Sequence, residues 1–174
     1  RANGVAISRN VLQPIRNQDY INVQVGEASV ANPAPGVTTE QLIYDRVRRP
    51  RLRVLARSSL NRGRPVLDEE GAKEVACVLA AIDKHFRPLL DPEEENRWFA
   101  MDIEFKLVGD EKRLAVKQAR PYSFGSTAVV SQIEHALFTG RQGKQQGAEL
   151  VFLCLTHHET RPMLSGSRGS VRIV

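Results

Sequence analysis

The feature that most constrains the fold is an alternation of apolar and charged side chains within residues 98–108. One side of this run is apolar, formed by Met101, Ile103, Phe105 and Leu107. A period of two is typical of a β-strand with one buried face. The turn sequence GDEK at 109–112 follows, and after it a second strand-like run at 113–119. The sequence therefore predicts an antiparallel hairpin with one apolar and one polar face.

One long amphipathic helix is predicted over residues 68–86. Asp68 is a suitable N-cap residue, and the acidic residues that follow it favour the positive end of the helix dipole. Apolar residues recur at the spacing of one helical face: Val75, Val78, Leu79, Ile82 and Phe86. Pro88 has no backbone N–H and is predicted to end the helix.

Further strands are predicted from short β-branched runs bounded by turn-forming residues, at 2–8 and 20–25. Residues 39–45 fit either a short helix or a strand, and 47–57 are predicted to form a basic strand. Strands and one long helix together predict an α+β fold. We expect an antiparallel or mixed sheet with the helix packed on it.

Six arginines crowd the segment DRVRRPRLRVLAR, within a chain whose net charge is +5. Arg49, Arg51 and Arg53 alternate with other residues, as on one face of a half-buried strand. Such a basic stripe can hold phosphates or a nucleic-acid backbone, and it can equally be a solvated strand face. No aromatic residue is interleaved with these arginines to stack on bases, which disfavours nucleic acid as a partner.

The sequence contains no sign of a membrane segment. No apolar run approaches the ~20 residues of a membrane helix, and the first residues lack the apolar core of a signal peptide. Cys77 and Cys154 each lie in an apolar run and are predicted to be reduced core thiols, which favours a cytoplasmic location. The chain starts with Arg1, so we expect it to be a piece of a longer polypeptide.

The polar face of the predicted hairpin carries Glu104, Gln118 and Arg120 on adjacent strands. Magnesium prefers oxygen ligands, and a carboxylate beside a carboxamide provides two while nucleotide phosphates supply others. An arginine next to the ion can neutralise charge on a transferring phosphoryl group. The same residue types also fit a surface ion pair between Glu104 and Lys117 or Arg120. The residues alone leave both interpretations open.

The register of the hairpin bears on this choice because side chains alternate between the two faces. An odd loop, for example 110–112, pairs Glu104 with Gln118. A two-residue loop at 110–111 instead pairs apolar residues with each other and places Gln118 on the opposite face. We predict an odd loop or a β-bulge near the turn, which would reconcile the two patterns.

Three strings, VLDEEGAKEVACVLAAIDKHF, MDIEF and LAVKQARP, resemble the end of the ATP-binding domain of the phosphoenolpyruvate synthase and pyruvate phosphate dikinase family. In that family a DIEW or DIEF strand is followed by a strand ending in Gln-Ala-Arg-Pro. GVAISRN and VGEASVANPAPG are similar to its earlier glycine-containing segments. The resemblance covers residues 1–123 approximately.

This resemblance implies one half of an ATP-grasp fold, in which the nucleotide lies between two α+β halves. It implies that Glu104 and Gln118 bind Mg²⁺ and that Arg120 stabilises the phosphoryl group in transfer. Glu27 and Asp102 match family positions and are expected to support nucleotide binding. Residues 1–124 would be the C-terminal part of the nucleotide-binding domain, with an extension of unknown role at 125–174.

The implied activity is that of a dikinase-type phosphotransferase. Such an enzyme binds Mg-ATP and passes a phosphoryl group through a histidine on another domain to an acceptor such as pyruvate. The N-terminal half of the nucleotide site would precede residue 1, so the chain alone is expected to be inactive. Two alternatives are a related enzyme with a glucan or antibiotic acceptor, and a non-catalytic module that binds nucleotide or nucleic acid through the arginine-rich strand.

The sequence departs from the family pattern at two places. Glu104 and Gln118 are fourteen positions apart (118 − 104), where the family has a couple fewer. An acidic insertion near 88–97 also separates the predicted helix from the DIEF strand.

Overall fold

The computed structural model describes residues 1–13, 15–122, 149–153 and 168–172. The described part contains eight strands, one α-helix and a short 3₁₀ turn at Ser59–Asn61. In chain order these elements are β1 (Ala2–Ile7), β2 (Gln18–Val25), β3 (Glu40–Asp45), β4 (Leu52–Ala56), α1 (Glu69–Leu90), β5 (Ala100–Val108), β6 (Arg113–Tyr122), β7 (Glu149–Leu153) and β8 (Arg168–Arg172).

Six of the strands form one sheet in the order β4-β3-β2-β1-β5-β6. Every neighbouring pair in this sheet is antiparallel. The predicted α+β fold is confirmed. An antiparallel or a mixed sheet was expected, and the sheet is antiparallel. The segment that fitted a helix or a strand is the strand β3. Strands β7 and β8 form a separate antiparallel pair.

Helix α1 packs on one face of the sheet through the apolar residues predicted from its periodicity. Val75, Leu79 and Ile82 are buried in one cluster with the apolar side of β5. Asp68 is the N-cap, and its side chain accepts a hydrogen bond from Gly71 N at 2.9 Å. The prediction of a capped amphipathic helix on a sheet is therefore confirmed.

The prediction that Pro88 ends this helix is wrong, because α1 continues to Leu90. Pro88 lies in the last turn, where its missing N–H removes one helical hydrogen bond and leaves the following residues helical. Asp91 N donates to Arg87 O at 2.8 Å and closes the end of the helix. A rule based on proline alone cannot predict a helix end that is set by such a cap.

The basic strand is also shorter than predicted, because residues 46–51 form a turn before β4 begins at Leu52. The side chain of Asp45 stabilises this turn. Its Oδ1 accepts hydrogen bonds from Val47 N at 2.9 Å and Arg48 N at 2.7 Å. An aspartate that binds backbone N–H groups two and three residues ahead favours a turn over an extended strand.

Two predictions made from composition have different outcomes. Within the described ranges, no helix is long and apolar enough to cross a membrane. Cys77, on α1, is disulfide-bonded, so the prediction of a reduced thiol at that position is wrong. Cys154 and most of the predicted extension at 125–174 lie outside the described residues.

Candidate functional site

The register of β5 and β6 brings the predicted site residues together on one face of the sheet. Glu104 is paired with Gln118, and Asp102 is paired with Arg120. The pairing then shifts, so that Phe105 is paired with Val116 and Lys117 is the extra residue of a β-bulge. A β-bulge is confirmed, and it satisfies both the polar pairing and the apolar pairing. The odd loop and the predicted position near the turn are wrong, because Val108 is paired with Arg113 and the shift occurs at Glu104. The bulge lies beside the candidate site.

The apolar side of β6 shows why the bulge forms. Val116 and Ala119 both pack against the core, although a regular strand would place residues three apart on opposite faces. The extra residue Lys117 lets both of them reach the core. At the far end of the hairpin, Lys112 N donates to Gly109 O at 3.3 Å and closes the turn.

Glu104 and Gln118 face each other directly across the strand pair. Side chains in such a pair have Cβ atoms about 5 Å apart, so a carboxylate and a carboxamide oxygen can reach one ion. The Glu104 side chain is 38% exposed. The surface ion pair with Lys117 that the alternative interpretation predicted is present and long, with Lys117 Nζ 3.8 Å from Oε2. The carboxylate is thus accessible to a ligand on this face.

The donor set around Glu104 fits magnesium, which keeps several waters and takes one or two protein oxygens together with substrate phosphates. Among the described residues, no group of three or more His, Cys, Asp and Glu side chains could enclose a metal ion. A site with two protein oxygens is open on the solvent side. It is suited to a cation that arrives with a polyphosphate.

Asp102 orients Arg120 at the edge of the sheet. Its Oδ2 accepts a hydrogen bond from Arg120 Nε at 2.9 Å, with side chains 6% and 56% exposed respectively. Burial raises the pKa of Asp102, the hydrogen bond to Arg120 opposes that rise, and the nearby Glu104 adds to it. The contact uses the Nε edge of the guanidinium, so much of the group remains exposed for an anion.

Glu27 approaches the same face from the loop after β2. Its Oε2 is 2.8 Å from Lys106 Nζ, and this hydrogen bond lowers the pKa of Glu27 below its ordinary value. Asn3 holds the loop, because its Nδ2 donates to Gly26 O at 2.9 Å. Glu27 and Glu104 line one cavity of about 270 Å³. Glu27 therefore lies in the same cavity as Glu104, and Lys106, which pairs with Glu27, lines it too.

Two lysines that sequence reasoning did not assign to the site also line this cavity, Lys106 and Lys117. Lys106 alternates with Glu104 along β5, and that spacing in the sequence could have identified it. Lys117 reaches Glu104 because of the bulge. Gln118, Asp102 and Arg120 do not line the cavity.

The predicted stripe of arginines does not form a single strand face. Arg46 Nε is 3.3 Å from Asp19 Oδ2, and Arg57 Nη1 is 2.9 Å from Glu40 Oε2. Arg51 donates to the backbone oxygen of Arg46 at 2.6 Å. Three of the six arginines in the segment are thus held by groups of the protein, which weakens the interpretation of the segment as a phosphate-binding or nucleic-acid-binding surface.

No family model matches the chain, and no curated protein matches it. The ATP-grasp assignment therefore stays a prediction that rests on the DIEF and QARP strings. The structure contributes the spatial relation of the residues in those strings.

Proposed function

We propose that this chain is the C-terminal part of an ATP-grasp nucleotide-binding domain in a dikinase-type phosphotransferase. The observation that carries the proposal is the register in which Glu104 is opposite Gln118 and Asp102 is opposite Arg120. A carboxylate, a carboxamide and an oriented guanidinium on one face are the groups that an Mg-polyphosphate requires. In this proposal residues 1–124 belong to the nucleotide-binding domain, and 125–174 have another role.

Each residue has a distinct task in this proposal. The side-chain oxygens of Glu104 and Gln118 hold Mg²⁺, which neutralises phosphate charge when it is bound. Arg120, held by Asp102, binds the phosphoryl group that is transferred and stabilises its charge in the transition state. Glu27 binds a further part of the nucleotide from the cavity it shares with Glu104.

The remaining parts of the reaction lie outside this chain. A complementary half provides the other wall of the nucleotide site, and a histidine on a separate domain accepts the phosphoryl group from ATP. The histidine then passes it to an acceptor such as pyruvate, a glucan or an antibiotic. We propose a cytoplasmic location because ATP is available there; the disulfide at Cys77 removes the argument from reduced thiols.

The test uses the natural polypeptide that contains this chain. Glu104→Ala and Arg120→Ala are each expected to reduce ATP-dependent phosphoryl transfer by at least about a hundredfold, because both remove charge stabilisation in the transition state. Lys112→Ala, in the turn of the same hairpin, is the control and should keep full activity. Far-UV circular dichroism checks that each variant is folded. Undiminished transfer in either site variant rejects the assigned role.

A further inference from the structure

Lys117 is the side chain that the β-bulge adds to the candidate site. It is the unmatched residue between the pair formed by Glu104 with Gln118 and the pair formed by Phe105 with Val116. Its Nζ lies 3.8 Å from Glu104 Oε2, and its side chain is 53% exposed. An ammonium group therefore lies beside the carboxylate that we assign to the metal.

Two other cations near this face are held by other carboxylates. Lys106 Nζ is 2.8 Å from Glu27 Oε2, and Arg120 Nε is 2.9 Å from Asp102 Oδ2. Each of these contacts is shorter than the one between Lys117 and Glu104. Lys117 therefore has the loosest contact of the three and sits next to the proposed metal ligand.

An ammonium group and a divalent cation cannot both occupy the same side of one carboxylate, because their like charges repel at close range. The flexible four-carbon stem of lysine lets the ammonium move away into solvent. The long, exposed ion pair has the properties expected of a contact that can be exchanged.

We propose that Lys117 is a built-in competitor of the divalent cation: its ammonium group neutralises Glu104 when no metal is bound and is displaced when the metal binds. This inference rests on the proposed metal-binding role of Glu104 and Gln118. The bulge then has a regulatory consequence, because its extra residue, Lys117, sets the affinity of the site for the free cation. Lys117 is a positioning residue here and has no catalytic role.

The test measures binding of Mn²⁺ alone to the 174-residue chain, by the electron paramagnetic resonance signal of free Mn²⁺. Lys117→Met should bind Mn²⁺ about two- to fivefold more tightly than the unmodified chain, the range expected for an exposed ion pair. Lys117→Arg keeps the charge and should retain the unmodified affinity. Lys112→Met removes the same charge from the turn and is the matched control. The gain in Mn²⁺ affinity of Lys117→Met should shrink in 0.5 M salt, because the screening length there is only about 4 Å.

The double variant Glu104→Gln/Lys117→Met separates the two proposals. If the gain acts through Glu104, adding Lys117→Met to Glu104→Gln changes nothing. Equal Mn²⁺ affinity in Lys117→Met and the unmodified chain, with weaker binding in Glu104→Gln, overturns the competitor role and leaves the metal site standing. If Glu104→Gln does not weaken Mn²⁺ binding, both the metal site and the competitor are rejected. Lys117→Gln serves as a second neutral variant, and urea unfolding verifies the fold of each protein.

Discussion

We expect Asp19 to make the stability of this fold dependent on pH. It lies on the helix side of β2 and is fully buried. Its Oδ2 is 3.3 Å from Arg46 Nε, and within the described part of the chain neither carboxylate oxygen accepts a hydrogen bond. Burial raises the pKa of Asp19 to about 7, Arg46 opposes that rise, and the neighbouring Asp83 and Asp45 add to it.

The raised pKa means that the folded chain holds this proton more tightly than the unfolded chain. The resulting stabilisation is fully present below the ordinary pKa of 3.8, and it is lost as the pH rises to about 7. At roughly 1.4 kcal/mol per pKa unit, a change in pKa from 3.8 to about 7 can lower the free energy of unfolding by at most about 4 kcal/mol as the pH rises.

Asp19→Asn keeps the shape of the side chain and removes the ionisation. We expect its free energy of unfolding to change much less between pH 4 and pH 8 than that of the unmodified chain. At pH 8 the variant should be the more stable of the two, because it does not bury a negative charge. Urea unfolding followed by circular dichroism at several pH values measures this difference.

Asp45→Asn is the control with the opposite sign. Burial acts to raise the pKa of Asp45, but hydrogen bonds from Arg48 N, Gln18 and Val47 N hold it below its ordinary value. Its contribution is present above the ordinary pKa and is lost as the pH falls, so this variant should lose stability at neutral pH. Parallel pH curves for Asp19→Asn and the unmodified chain would refute the reasoning about Asp19.

Two further predictions concern packing around the sheet. In Gly4→Ala, the new Cβ would lie 2.7 Å from Phe105 Cε1 and 2.9 Å from Asn22 O, so we expect a loss of about 1–3 kcal/mol in urea unfolding; an unchanged midpoint would contradict it. Fully buried Glu40 accepts hydrogen bonds from the backbone N–H groups of the two residues preceding Asp68, each at 3.0 Å. Glu40→Ala leaves these donors unsatisfied and should lower the free energy of unfolding by about 2–5 kcal/mol. Glu40→Gln should lower it less, and equal stability of the two variants would contradict the prediction.

The parts of the fold that sequence could predict are those set by neighbouring residues. Alternation in β5 and periodicity in α1 depend on local spacing, and both predictions were confirmed. The bulge was predictable because two local patterns on one hairpin required different registers. The parts that sequence missed depend on long-range partners. The ion pair between Arg57 and Glu40 joins residues seventeen positions apart, and no local pattern identifies it.

The candidate site shows the same division. Glu104, Gln118, Asp102 and Arg120 were predicted from two short strings, and the register places them on one face. Lys106 was not assigned, although its alternation with Glu104 along β5 could have identified it. Lys117 was considered only as an ion-pair partner of Glu104, because its place at the cavity depends on the exact position of the bulge. Patterns along one strand do not contain that information.

The shortness of the hairpin turn has a consequence for how the site is assembled. Four of the five candidate side chains lie within residues 102–120 and are joined by a single turn at 109–112. Closing so short a loop costs little conformational entropy, and hairpins of this kind form within microseconds. Residues 102–120 therefore carry these four groups on one hairpin that forms from local contacts. An insertion in the distant segments between β2 and β4 should leave the spacing of the four groups unchanged.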